Sequence, residues 1–162
     1  MEKNLDAFFN PKTVAVIGAS ADAGKVGHIV FKNFAEEGFA GKVYPVNPHP
    51  APVLGHKPVK SVLEIPEEVD LAVIVTPAKT VPKILAECGQ KKIKSVVIIS
   101  SGFKEIGKEG AKLEMQLKEL IQKYKLSVVG PNCLGIYDTN TEVDTLFLPA
   151  YRMGRPQKGN VA

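Results

Sequence analysis

Five short apolar runs rich in β-branched residues recur along the chain: residues 13–18 (TVAVIG), 42–46 (KVYPV), 70–76 (DLAVIVT), 94–100 (KSVVIIS) and 126–130 (LSVVG). They are continuous rather than alternating. A strand with one face in water alternates apolar and polar residues, so continuous runs mean strands covered on both faces, as in a parallel sheet flanked by helices. Helical patterns lie between the runs. Val26, Ile29, Val30 and Phe34 form one apolar stripe; Val81, Ile84, Leu85 and Cys88 form a second. Leu113, Leu117, Leu120, Ile121 and Tyr124 form a third, at the spacing of one helix face. Gly38 and Gly89 stand where helix C-caps belong. Residues 47–69 are Pro-rich and read mostly as loop, with a short helical turn near Ser61–Glu64.

Strand and helix therefore alternate, which predicts an α/β fold: a Rossmann-type doubly wound parallel sheet of about five or more strands. The length of 162 residues suits a single domain with one good core. Residues 1–150 are expected to form that domain. Residues 151–162 lose periodicity and are expected to run extended over the surface.

Several classes are disfavoured early. No apolar run reaches the roughly 18 residues of a membrane span. The N-terminal MEKNLDAFFNPK lacks an apolar signal core behind a basic flank, so a cytoplasmic location is expected. Cys88 and Cys133 make neither a disulfide framework nor a zinc set, and free thiols suit a reducing compartment. The net charge of +4 could attract polyanions, but the lysines of residues 103–125 are interleaved with carboxylates, as on a solvated helix face. Without a basic stripe interleaved with aromatics, nucleic acid is not an expected partner.

In a parallel sheet of this kind, ligands bind outside the carboxyl ends of the strands. The first run ends in Gly18, Ala19 and Ser20 and enters its helix through Gly24, Lys25, Val26 and Gly27. The second ends in Asn47 and Pro48. The third ends in Val75, Thr76 and Pro77, the fourth in Ser100, Ser101 and Gly102, and the fifth in Gly130, Pro131, Asn132 and Cys133. Small residues let a ligand approach the main chain. A helix N-terminus near Gly24–Gly27, with Lys25 beside it, suits a phosphate. The competing reading is that Gly18 and Gly27 serve only a tight turn and close helix–sheet packing. An NAD site wants an acidic residue at the end of the second strand and glycines spaced G-x-G-x-x-G. No Asp or Glu occurs from Lys42 to Pro52, Glu36 and Glu37 fall in the last turn of the preceding helix, and the glycine spacing differs. NAD is disfavoured.

The segments VAVIGAS…GKVG, YPVNP, DLAVIVTPA, VVIISSGFKE and VVGPNCLGI together resemble the coenzyme A-binding domain of the NDP-forming acyl-CoA synthetases. That family includes the ADP-forming acetyl-CoA synthetase α subunit and, more distantly, the succinyl-CoA synthetase α subunit. The resemblance covers nearly the whole chain, with the motifs in order. It implies that Ser20, Lys25, Val26 and Gly27 hold the CoA phosphates, with Gly18 also in the CoA site, and that Asn47 and Pro48 lie against the adenosine. It further implies that Val75, Thr76, Pro77, Ser100, Ser101 and Gly102 line the pantetheine path, with Asn132 and Cys133 near the thiol end. Where succinyl-CoA synthetase carries a lysine shortly after the second strand, this chain has His49–Pro50, so a basic contact to the ADP end has no counterpart there.

The family reaction converts acyl-CoA, ADP and phosphate to acid, CoA and ATP through a phosphohistidine in the following domain. His28, His49 and His56 match no such motif, and no ATP-grasp domain is present to bind ADP. The resemblance thus implies a CoA-binding module, with no catalytic residue and no metal of its own. Its partners would be CoA or acyl-CoA and the remaining synthetase domains or an ATP-grasp subunit, towards which the tail would lead. The alternatives are a stand-alone CoA-binding regulatory protein and an NAD(H)-binding Rossmann protein. Cys133 reads either as a small, partly buried loop residue or as a partner for a mixed disulfide with CoA, and Cys88 reads as core. Gly27→Glu is expected to block CoA without unfolding the sheet.

Overall fold

The computed structural model describes residues 5–159. Strands β1 (Thr13–Ile17), β2 (Lys42–Val46), β3 (Leu71–Ile74), β4 (Ser95–Ile98) and β5 (Ser127–Val129) form one sheet in the order β2-β1-β3-β4-β5. Every pairing is parallel. Helices α2 (Val26–Glu36), α3 (Val81–Gln90) and α4 (Lys108–Tyr124) make the crossovers after β1, β3 and β4. The passage from β2 to β3 has one helical turn, the 3₁₀ segment Val62–Glu64, whose Ser61 Oγ accepts from Leu63 N at 3.1 Å.

The continuous apolar runs have the predicted cause. Every residue of β1, β3 and β4 is buried, and successive side chains enter different cores. Ala15, Ile17, Ala72, Ile74, Val96 and Ile98 pack with Leu85, Cys88, Phe103 and Leu117 under α3 and α4. Val14, Val16, Leu71, Val73 and Val97 pack with Val30, Phe31 and Phe34 of α2 on the other face. The chain order reverses between β1 and β3. Their carboxyl ends, with that of β2, therefore open the crevice in which this class of sheet takes its ligands.

Gly38 stands just beyond α2 with φ of +99°, the left-handed conformation of a C-cap. Gly89 does not cap its helix. It lies inside α3, where a Cβ would overlap the Tyr124 ring, so its role is to let α4 approach. Two elements left no mark on the hydrophobic pattern. One is the single-turn helix α1 (Asp6–Phe9), which buries Phe8. The other is a hairpin, β6 (Tyr137–Asp138) with β7 (Val143–Asp144), that docks on α2. Asn33 Nδ2 donates to the Leu146 carbonyl at 2.9 Å, which fastens that docking.

The tail runs over the surface, mostly exposed, and is pinned as far as Arg155. Arg152 N donates to Pro149 O at 2.9 Å, closing a turn. Arg155 then bonds Asp144 Oδ2 through Nε and donates to the Leu148 and Met153 carbonyls. Residues 160–162 of the predicted tail lie outside the described residues. Among the described residues, no helix is long and apolar enough to cross a membrane.

Candidate functional site

An open cleft of about 600 Å³ lies at the reversal point. Ile17, Gly18, Ser20 and Lys25 line it from β1 and the turn into α2, and Val46, Asn47 and Pro48 from the end of β2. Val75, Thr76 and Pro77 close the β3 side. Eight of the sequence-derived candidates thus meet in one place: Gly18, Ser20, Lys25, Asn47, Pro48, Val75, Thr76 and Pro77.

The β1–α2 turn is built to leave backbone donors at its end. Asp22 N donates to Ser20 Oγ at 3.1 Å, and Gly24 N to Asp22 Oδ1 at 3.0 Å, which folds the loop over itself. Helix α2 then starts with Lys25 in the N-cap position, with no side-chain cap and no acidic residue in its first turn. An uncapped helix N-terminus carries unpaired N–H groups and positive partial charge, and Lys25 adds a full charge at the same end. Val26 and Gly27 do not line the cleft. Val26 packs against the α2 core, and a Cβ on Gly27 would overlap the Gly18 carbonyl oxygen. Gly27 therefore serves the contact of helix and strand, and Gly27→Glu would disturb the fold as well as any ligand.

Asn47 is committed to structure through both ends of its amide. Nδ2 donates to Ala19 O at 2.7 Å and Oδ1 accepts from His49 N at 2.9 Å, so the amide ties the β2 end to the β1–α2 turn. At the β3 end, Thr80 Oγ1 bonds Thr76 Oγ1 and Pro77 O at 2.9 and 2.8 Å.

Ser100, Ser101, Gly102, Asn132 and Cys133 do not line this cleft. They form a second group further along the carboxyl edge. Asn132 N donates to Ser100 O at 3.0 Å, Cys133 Sγ donates to Ile98 O at 3.4 Å, and Gly102 approaches Ala78 of the β3–α3 connection. Burial pushes the Cys133 thiol up from its ordinary value, so it stays protonated at neutral pH and is poorly suited to disulfide exchange. Cys88 is fully buried, its thiol pushed up to about 12.

Sequence reasoning missed five polar residues of the cleft: Lys60 and Ser61 from the β2–β3 connection, Thr80 from the turn before α3, and Lys83 and Glu87 from α3. Ser61 Oγ donates to Glu87 Oε2 at 2.7 Å, and Lys83 Nζ lies 3.9 Å from Glu87 Oε1. The i, i+4 spacing of Lys83 and Glu87 was legible, but nothing local tells which loop folds against it. The histidines stand apart from the cleft. His28 Nδ1 is 2.9 Å from Ser20 O, which engages that nitrogen, and the His56 ring meets Phe31 edge-on.

The fold and this cleft define a domain of the doubly wound α/β class with an open crevice at the carboxyl edge of its sheet. A family model for the CoA binding domain matches residues 12–139. The chain belongs to that CoA-binding family. It is 53% identical over 150 residues to the α subunit of ADP-forming acetate–CoA ligase I of Pyrococcus furiosus, covering 90% of this chain and 32% of that one. It is 46% identical over 155 residues to the ADP-forming 4-hydroxybutyrate–CoA ligase of Nitrosopumilus maritimus, covering 94% of this chain and 22% of that protein. Among solved structures, the dinucleotide-forming acetyl-coenzyme A synthetase 1 of Ca. Korarchaeum cryptofilum, in complex with phosphate and ADP, matches with a TM-score of 0.84 at 38% identity. That match covers 91% of this chain and 32% of the other. PH0766 from Pyrococcus horikoshii matches with a TM-score of 0.89 at 49% identity, over 98% of this chain and 35% of that one. The chain spans about a third or less of the length of these relatives.

Proposed function

We propose that this chain is the CoA-holding module of an ADP-forming acyl-CoA ligase and that CoA lies in the cleft at the sheet reversal. The observation that carries the placement is the uncapped N-terminus of α2, with Lys25, facing a cleft whose other walls are Gly18, Asn47–Pro48 and Val75–Pro77. The CoA diphosphate sits against the α2 end and the adenosine against Asn47–Pro48. The pantetheine passes Thr76–Pro77 towards Ser100–Gly102, which brings the thiol to Asn132 and Cys133. This path uses both groups of strand-end residues, because pantetheine is long enough to leave the cleft.

The full reaction, acyl-CoA with ADP and phosphate giving acid, CoA and ATP, needs a phosphoryl carrier and a nucleotide site. These belong to segments of the kind that fill the remaining length of the relatives. Within this chain the residues bind and orient; none transfers a group. The module works in the cytoplasm, with no nucleic-acid or membrane partner.

Calorimetric titration of the chain with CoA, and in parallel with NAD, tests the reading. Micromolar CoA binding, about 8 kcal/mol, with none for NAD is expected; NAD binding in place of CoA would overturn it. Lys25→Ala is expected to weaken CoA by about 1–2 kcal/mol, the scale of one charge-assisted contact. Undiminished affinity in that variant would remove the diphosphate from the α2 end.

A further inference from the structure

The cleft carries cations on two sides that come from opposite faces of the sheet. Lys25 enters from the α2 face, whereas Lys60 and Lys83 enter from the face covered by α3 and the Val62–Glu64 turn. Apolar side chains lie between them: Ile17, Val46, Val62 and Ile84. A ligand matching this pattern carries two separated anionic groups and an apolar face that rests on these side chains.

Lys60 owes its position to a fold-back that the sequence does not announce. The chain leaves β2 at Asn47, makes an excursion, and returns beside the same strand. Val46 and Val59 form a parallel bridge, with Asn47 N donating to Val59 O at 2.9 Å and Val59 N to Pro45 O at 3.1 Å. Lys60 is thereby held at the carboxyl end of β2. Exposed His49, three residues beyond the end of β2, does not line the cleft.

The charges on this wall are unequally matched. Glu87 accepts from Ser61 and faces Lys83, so the Lys83 charge is balanced within the wall. Glu64 accepts from the backbone N of Lys60 at 3.1 Å. Among the described residues, no carboxylate forms an ion pair with the Lys60 ammonium. Lys60 is the uncompensated cation of its wall.

The geometry points to Lys60 as the residue that recognises the ribose 3′-phosphate of CoA and so separates CoA from its dephospho form. The assignment rests on the CoA reading above. It supplies, from the far side of the Pro-rich excursion, the basic contact that His49–Pro50 does not provide. The adenine lies over Ile17, Val46 and Val62, the 5′-diphosphate goes to the α2 end, and the 3′-phosphate goes to Lys60.

Titration of the parent chain, Lys60→Gln and Lys57→Gln with CoA and with dephospho-CoA tests this, with circular dichroism confirming that all three are folded. Lys57 is exposed and outside the cleft, so its variant reports general charge effects. The parent is expected to prefer CoA by about tenfold or more, the scale of one charge-assisted contact. Lys60→Gln is expected to lose that preference while holding dephospho-CoA within about twofold of the parent. Lys57→Gln is expected to keep the preference. Equal affinity of the parent for both ligands overturns the assignment and leaves the CoA reading standing. A preference that survives Lys60→Gln, or an equal loss for both ligands, does the same. Failure of the parent to bind either ligand overturns the CoA reading itself.

Discussion

Gly27→Ala is expected to destabilise the domain by about 3 kcal/mol or more, at the upper end of what overpacking costs. The alanine Cβ would overlap the carbonyl oxygen of Gly18 and come within 2.8 Å of its carbon. Both partners are backbone, so neither can swing aside as the end of a side chain would. Relief requires α2 to move off the sheet, where Val30, Phe31 and Phe34 are nearly or wholly buried. Gly24→Ala makes the matched control. Its Cβ would meet only Asp22 Oδ1, at 3.4 Å in an exposed loop, and a change within about 0.5 kcal/mol is expected. Urea unfolding of the two variants against the parent checks the pair. A Gly27 variant with an unchanged midpoint would mean that helix and strand are not held as closely as described.

The second large effect belongs to Phe103. This ring is wholly buried under α3 and α4, although it sits in the loop that leaves β4. It anchors residues 100–102, the proposed path of the pantetheine. Its carbonyl accepts from Ile106 N at 3.0 Å, and Gly110 lies so close beneath that carbonyl that a Cβ would overlap it. Phe103→Ala is expected to cost about 3–5 kcal/mol, the range for deleting a buried aromatic. Thermal or urea unfolding measures the loss, and CoA titration of the folded fraction shows whether the strand-end loop has slackened. A loss below about 1 kcal/mol would mean that the surrounding core collapses into the space.

The sheet and its three long crossover helices were legible because their signals are repetitive. Continuous β-branched runs answer to two-sided burial, and the stripe through Leu113, Leu117 and Ile121 answers to one face of a long helix. The ends of β1, β2 and β3 were legible for a related reason: parallel topology forces them to one edge whatever separates them in sequence. The hairpin at Tyr137–Asp144 was not legible. Its strands are two residues each, too short to establish a period, and they are held by Asn33, more than a hundred residues earlier. Lys60 escaped notice because its place depends on the return of a loop. Gly89 misled in the opposite sense: a glycine near a helix end reads as a cap, but here the neighbouring helix decides its identity.

The bridge between Val46 and Val59 also bears on how the molecule behaves in crowded solution. Strand β2 lies at the margin of the sheet, and the outward groups of such a strand can template pairing with a neighbour. Here the Pro45 carbonyl and the Asn47 amide are already engaged by Val59, Pro45 has no N–H to offer, and Lys42 charges the start of the strand. The opposite margin, β5, is only three residues long. The domain thus meets its neighbours with one margin occupied and the other too short to zip, and so guards itself against strand-to-strand self-association.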